Sequence, residues 1–436
     1  MRKSYVFRYG TEKIEITLPE KNVLTQIEVP DTNNNSSQNS LIETAIRNPI
    51  DSPPLKEFVK NRKVVILAED STRDVPTQLI LEKISKNLSL AKSVKLIICT
   101  GTHSPNSEGN QFLANQISKI FENGSIESFE LLVHDSKNPP FASYGSSSFG
   151  NEFLVNPAVT DADAYLVLSD MKNHYFAGYS NLLKNFIPGV CAFETVEKNH
   201  AMALNKKSTF GKHPWHPDPN RRDNPLANEM LEGYQKIVQN RPVWALVSIT
   251  KNRRVIWCQA GEPKRMVEDG IRKVDATMSK TVVPADVLII SCGGYPNDES
   301  IYTAQRALEL NQDAVKSGGK IIFLAECRNG IGPESAKHNF YNILTNELPE
   351  VLKTIERKYI MYSHKAYKFA MMMTRFSFIG LKSAIDDDTV EGIHIVPIKD
   401  TQKLINSWLS SNSDLTFNLI DDGNKIAVYP GNSSQI

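Results

Sequence analysis

The sequence predicts an α/β protein built from two Rossmann-like α/β domains with mostly parallel sheets, preceded by an N-terminal β-hairpin. Three observations predict it. Four short apolar runs, at residues 64–68, 94–99, 129–133 and 164–168, alternate with helical stretches, which is the pattern of βαβ units on a parallel sheet. A second βα series opens at residues 285–291 (ADVLIIS) and continues at 320–324 (KIIFL). A chain of 436 residues is also too long for one ordinary domain.

The elements follow in order. Residues 5–17 alternate apolar and polar and are interrupted by Tyr9-Gly10-Thr11-Glu12, a hairpin signal. Residues 31–39 (DTNNNSSQN) are turn-rich and predict a surface loop. The strand at 64–68 is followed by a helix from Thr77, and the strand at 94–99 by a helix near 111–121. Residues 244–249 and 255–259 predict a hairpin after Asn252, and 267–279 a helix. The domain boundary is expected near 260–280. It is drawn as an N-terminal domain, 1–265, and a C-terminal domain, 266–436. A weak last strand is expected at 425–429, before a frayed Gly-Asn-Ser-Ser tail. No internal repeat is evident.

Composition excludes several classes. Hydrophobic residues are 40% and charged residues 23%, as in soluble globular proteins. A net charge of +1 gives no reason to expect nucleic acid or a membrane surface as partner. The five cysteines are scattered, with no CxxC pair, so reduced thiols in a cytoplasmic protein are expected, not a disulfide framework or a zinc site. No apolar run approaches the roughly 20 residues that span a bilayer, and the N-terminus carries no apolar signal core.

The chemistry-bearing residues cluster at predicted strand ends, where open α/β sheets place ligands. The first strand runs into Glu69-Asp70-Ser71-Thr72-Arg73, with Pro76 and a helix behind it. Amides and hydroxyls at a helix entrance suit a phosphate or carboxylate, and arginine can grip a carboxylate bidentately. A helix cap with a solvated arginine has the same pattern. The second strand runs into Gly101-Thr102-His103, and Asp170 follows the fourth. The densest segment is His174-Tyr175-Phe176-Ala177-Gly178-Tyr179-Ser180, then Lys184, Pro188-Gly189-Val190 and Asn199-His200. An amine is a nucleophile or an attachment point, and an imidazole binds metal or moves a proton. In the second domain, Gly293-Gly294-Tyr295-Pro296 leads to a helix on which Thr303 and Arg306 share a face. His213-Pro214-Trp215-His216 has an i, i+3 pair in a Pro-rich loop and makes a poor metal site.

Taken together, these stretches resemble the nickel-pincer lactate racemase family. The resemblance is carried by Asp70-Ser71-Thr72-Arg73 with Pro76, Gly101-Thr102-His103, the run from His174 through Lys184 to His200, and Gly293-Gly294-Tyr295-Pro296 continuing to Tyr302-Thr303-Ala304. It implies a cytoplasmic racemase or epimerase of a 2-hydroxy acid, with the active site in the interdomain cleft. It implies nickel and a pyridinium-3,5-bisthiocarboxylic acid mononucleotide as cofactors, supplied by cofactor-synthesis proteins of the host. Lys184 corresponds to the covalent attachment point and His200 to the protein ligand of nickel. His103 and His174 correspond to an acid/base pair. Asp70, Ser71, Thr72, Arg73, Thr303 and Arg306 would lie against the cofactor, and Arg73, Arg306 and Tyr295 against the substrate. The implied reaction removes the carbon-bound hydrogen as hydride, one histidine taking the hydroxyl proton. Hydride then returns to the other face while the second histidine protonates the oxygen.

The chain departs from the family pattern in two places. Where relatives carry Gly-Gly after the serine matching Ser180, it has Asn181-Leu182, whose bulk is expected to reshape the cofactor loop. Where they carry Tyr-Gln-Ala-x-Lys, it has Tyr302-Thr303-Ala304-Gln305-Arg306. Arginine is not equivalent to lysine at a bidentate site, so a 2-hydroxy acid other than lactate is an equal expectation. Two other readings stand beside this one. A non-catalytic carrier or sensor of the nickel nucleotide needs only Lys184 and His200. A nicotinamide dehydrogenase needs a GxGxxG that follows no predicted strand here.

Overall fold

The computed structural model describes residues 1–28, 37–73, 75–122, 126, 128–251, 253–334 and 337–431. Three N-terminal strands come first: β1 (Arg2–Tyr9), β2 (Glu12–Pro19) and β3 (Val23–Ile27). β1 and β2 form an antiparallel hairpin turning at Gly10-Thr11, as expected. Inward side chains alternate along it: Tyr5, Phe7, Ile16 and Leu18 are buried in the core of the C-terminal sheet.

The chain forms two compact units, Asp31–Val274 on one side and Met1–Pro30 with Asp275–Ile436 on the other. The break after 274 lies inside the expected 260–280 window and inside the helix Pro263–Met278. The first thirty residues, however, belong to the C-terminal unit and not to a 1–265 domain. The cause is β3, which pairs in parallel with the strand Phe417–Ile420 at the edge of the C-terminal sheet.

In the unit Asp31–Val274 the strands are β4 (Lys63–Glu69), β5 (Ser93–Cys99), β6 (Phe129–Val133), β7 (Ala142–Ser146), β8 (Glu152–Val155), β9 (Ala164–Asp170), β10 (Lys172–His174), β11 (Gly178–Ser180), β12 (Val243–Lys251) and β13 (Arg254–Gly261). The main sheet runs β13-β12-β9-β4-β5-β6, parallel except for the β12–β13 hairpin. β4 and β9 are buried along nearly their whole length, which is why their sequences are continuous apolar runs. The helices Thr77–Leu88 and Glu108–Phe121 pack Ile80, Leu81, Ile84 and Ile117 against this sheet. β10 and β11 make a small antiparallel hairpin, separate from the sheet, that carries His174.

The C-terminal unit adds β14 (Ser279–Val282), β15 (Ala285–Ser291), β16 (Val315–Leu324), β17 (Phe378–Lys382), β18 (Val396–Pro397), β19 (Phe417–Ile420) and β20 (Ala427–Pro430). Its six-stranded sheet runs β18-β17-β16-β15-β19-β3 and is parallel throughout. β17 and β19 were not expected from sequence. The weak strand at 425–429 is found as β20, paired with β14.

The expected loop at 31–39 lies largely outside the described residues. Its last residues, Gln38 and Asn39, instead open the helix Gln38–Arg47, capped by Ser37, whose side chain accepts from Ser40 N. Asn252 and the tail after Gly431 are likewise outside the described residues. Among the described residues no helix is long and apolar enough to cross a membrane. All five cysteines are free and buried.

Candidate active site

Two parallel strands in the middle of a sheet end side by side, so their last residues are forced together. β4 ends in Glu69, followed by Asp70; β9 ends in Asp170. Asp170, expected just past its strand, is the strand's last residue. It pairs with Lys172 and accepts a hydrogen bond from Ser180 Oγ at 2.6 Å. Burial raises its pKa, but the charges of Lys172 and Arg73 and the hydrogen bonds outweigh this and hold it below the usual carboxylate range.

Asp70 is 3% exposed, and its Oδ2 lies 2.7 Å from Nδ1 of His103, which follows β5. Its other oxygen accepts from Thr72 Oγ1 at 2.7 Å. Burial opposes the charged form, yet the His103 hydrogen bond and the His103 and Arg73 charges keep Asp70 below its ordinary pKa. An ionised Asp70 can only accept, so Nδ1 of His103 carries the proton and the Nε2 lone pair is left for a substrate. His103 itself is exposed (42% of its side chain), as an acid/base group must be. The expected cofactor contacts of Asp70 and Thr72 are therefore joined to His103 as an orienting pair. Ser71 is held from behind, its N donating to Asn110 Oδ1 at 3.0 Å.

Lys184 sits in the short helix Leu183–Phe186 and lines a small recess of about 40 Å³ with Glu69, Arg73, Cys99, Thr100, Gly101, Ser180, Asn185, Pro188 and Gly189. Asn185 Nδ2 donates to Leu67 O at 3.3 Å and Leu168 O at 3.2 Å, tying this helix to β4 and β9. Gly101 has φ +57°, with Pro188 against it. Asn181 and Leu182 have distinct places in this segment. Asn181 Oδ1 accepts from Leu183 N at 2.9 Å and Nδ2 donates to Tyr179 O at 2.9 Å, so Asn181 starts the Lys184 helix while Leu182 is buried in the core.

His200 lies near the end of the helix Phe193–Ala201, its Nδ1 3.0 Å from Val196 O. A carbonyl can only accept, so Nδ1 is the donor and Nε2 bears the lone pair. Burial, then the charge of Lys184, hold its pKa down to about 4 against that hydrogen bond, with His103 adding to the effect. The imidazole is thus neutral at pH 7 and chemically a ligand. His174 sits on β10 with Nδ1 accepting from Ala177 N at 3.2 Å. The ring of Phe176 stands edge-on to both histidines, 4.5 Å from His174 and 5.4 Å from His200. Among the described residues no three His, Cys, Asp or Glu side chains are grouped to hold a metal.

The hairpin geometry is strict. Gly178 has φ +79°, and a Cβ there would lie 1.7 Å from Lys212 O. Gly178→Ala should cost at least about 2 kcal/mol, read as a lowered Tm; an unchanged Tm would show that the hairpin yields.

Tyr295, Thr303 and Arg306 belong to the other compact unit. Tyr295 is 50% exposed with the Arg328 guanidinium 4.9 Å from its ring centre. Thr303 Oγ1 is 3.1 Å from Ser300 Oγ at the start of the helix Ile301–Asn311. Arg306 lies one turn beyond Tyr302, within electrostatic reach of Lys365, which burial and then this charge, against the pull of Glu309, lower to about 7. His134 is structural, its Nε2 donating to Cys191 O at 2.9 Å. His213 and His216 are buried with Nδ1 accepting from Trp215 N and Asp218 N. Sequence reading passed over Glu69 and Lys365. The signal for Glu69 was available: an acidic doublet at the end of an apolar strand.

Comparison with known proteins shows what the chain as a whole is similar to. The chain is 25% identical to a lactate racemase of Thermoanaerobacterium thermosaccharolyticum over 431 residues, covering 96% of this chain and 98% of that protein. It is 25% identical to a lactate racemase of Lactiplantibacillus plantarum over 369 residues, covering 83% and 84%. The structure of the T. thermosaccharolyticum lactate racemase apoprotein superposes with a TM-score of 0.84 at 22% identity, covering 98% of this chain and all of that one. A structure of a Thermotoga maritima protein gives 0.61 at 17% identity, covering 91% and 98%. Residues 9–211 match the lactate racemase N-terminal domain and residues 280–428 the lactate racemase C-terminal domain, together well over half the chain, so the chain belongs to the lactate racemase family.

Proposed function

We propose that this chain is a racemase or epimerase of a 2-hydroxy acid that works with a nickel-pincer nucleotide attached at Lys184. The observation that carries the reading is His200. It is neutral, its proton is committed to Val196 O, and it stands within electrostatic reach of Lys184 and His103. Imidazole with softer donors suits Ni(II). The surroundings of Lys184 fit such a group: a recess with cationic Arg73, and a buried Glu69 oxygen that no described residue satisfies. When bound, the group supplies a reversible two-electron acceptor for the carbon-bound hydrogen.

The chain's own residues supply the rest. Asp70 fixes the His103 tautomer so that Nε2 accepts the hydroxyl proton of one enantiomer, while His174, whose Nδ1 accepts from Ala177 N, presents Nε2–H to protonate the oxygen on the other face; the two roles exchange in the opposite direction. Arg73 holds the substrate carboxylate, and Ser71 and Thr72 border the cofactor; Arg306, Tyr295 and Thr303 keep the substrate and cofactor roles that the family resemblance implies. The reaction takes place in a cytoplasm whose cofactor-synthesis proteins load the chain. With Thr303 and Arg306 in place of the family's residues, a larger or more polar 2-hydroxy acid is as good a substrate candidate as lactate.

The test is racemisation of single enantiomers of several 2-hydroxy acids by protein made in a cofactor-producing host, with metal analysis. A carrier or sensor would load nickel and turn over none of them. His200→Ala should lose at least about tenfold in nickel content, whereas exposed His338→Ala keeps it; equal nickel in both variants would remove His200 as ligand.

A further inference from the structure

Glu69 has no part in the reaction described above, yet it is the most unusual acid in the molecule. It is 7% exposed and lines the recess that holds Lys184. Its Oε1 accepts from Ser169 Oγ at 3.0 Å, while Oε2 is buried and unpartnered among the described residues. A buried polar atom left unmatched inside a recess is a demand for a ligand atom.

The surrounding charges decide which form Glu69 takes. Asp170 faces it from β9, Lys172 from β10, Arg73 from the loop after β4, Cys99 from β5, and Lys184 lines the same recess. Asp170 takes the ion pair with Lys172 and the Ser180 hydrogen bond. Two neighbouring buried acids cannot both ionise at low cost, so the less satisfied one keeps its proton. Burial, then Asp170, push Glu69 up to about 8, against Arg73, Lys172 and Ser169. A neutral carboxyl offers one O–H donor.

We propose that Glu69 is a positioning residue for the group borne by Lys184: its Oε2–H donates a hydrogen bond to an acceptor atom, the oxygen or sulfur of a thiocarboxylate, inside the recess. The proposal rests on Lys184 being the attachment point. It makes the recess selective for a ligand with an acceptor at that place.

Wild type, Glu69→Gln and Glu69→Leu are produced in a cofactor-making host under limiting supply. Adduct occupancy is read by intact mass, and the visible spectrum is followed from pH 6 to 9. Glu69→Gln retains a neutral donor and should load like wild type. Glu69→Leu has none and should load about five- to tenfold less. The wild-type spectrum should shift with a midpoint near 8, and the Glu69→Gln spectrum should not. Full loading of Glu69→Leu with an unchanged spectrum overturns the proposal. A folded Glu69→Gln that fails to load overturns it too, because an ionised carboxylate would then be required.

The apoproteins provide a separate arm. A folded-state pKa above the unfolded value of about 4.3 means that stability falls as pH rises from about 4.3 to about 8, since only the folded state still holds the proton. Wild type should therefore lose Tm relative to Glu69→Gln between pH 5 and 8. Other titrating groups are common to both proteins and cancel. A constant Tm difference sinks the neutral donor whatever the adduct shows. A wild-type protein that loads nothing while this arm behaves as expected sinks the attachment at Lys184, and the proposed ligand with it.

Discussion

Protein made in a cofactor-producing host is expected to carry an added mass on Lys184, and Lys184→Ala none. The expectation follows from where the lysine sits. Its helix is started by Asn181 and pinned by Asn185 to the carbonyl oxygens of Leu67 and Leu168, so the amine is presented from a rigid base. Lys198, in the same stretch of sequence, is exposed on a different helix and does not line the recess. Without the attached group no hydride acceptor remains, so racemisation should drop to the uncatalysed rate, a loss of at least about 10⁶. Lys198→Ala should keep both adduct and turnover. An adduct that survives in Lys184→Ala would place the attachment elsewhere.

The two histidine variants are expected to separate chemistry from loading. His103→Ala and His174→Ala should each keep adduct and nickel but lose about 10²–10⁴ in interconversion. Both directions must fall together, because the rates have to balance at equilibrium. The half-reactions should differ: each variant should still oxidise one enantiomer to the keto acid in a single turnover and fail on the other. Asp70→Asn should imitate part of the His103 loss, since it removes the charge that fixes the tautomer. With substrate deuterated at C2, internal return should keep the label. Rapid washout into solvent would indicate a carbanion route, and near-normal turnover in either variant would remove that histidine from the reaction.

The legible parts of the molecule are those whose signal is local. β4, β5 and β9 were readable because strands buried on both faces are continuous apolar runs, and the half-buried edge strand β6 because it is a short apolar run in the same βα rhythm. β17 contains Gly380, β19 has only four residues (FNLI), and β3 is an edge strand with alternate exposed positions, so none has that signature. Asp70 and His103 could be picked out because strand ends are where ligands bind. Their 2.7 Å contact could not, because it depends on two strands thirty residues apart pairing in register. Glu69 illustrates the limit best: its proton is decided by Asp170, a hundred residues away in sequence, and nothing near Glu69 announces that. Asn181-Leu182 was readable as a departure but not as a helix start, because that role depends on backbone conformation.

The pairing of β3 with β19 has a consequence for how the protein is made. The ribosome delivers β1, β2 and β3 first, yet the edge they complete emerges about four hundred residues later. At about 5–20 residues per second that is a wait of roughly 20–80 s. Meanwhile the intervening unit, with its own sheet and core, can finish folding as an insertion in an unfinished host. The nascent hairpin spends that time with Tyr5, Phe7, Ile16 and Leu18 uncovered, a natural target for chaperones. A fragment starting at 275 would lack its own edge strand, and should become soluble only when residues 1–30 are supplied alongside it.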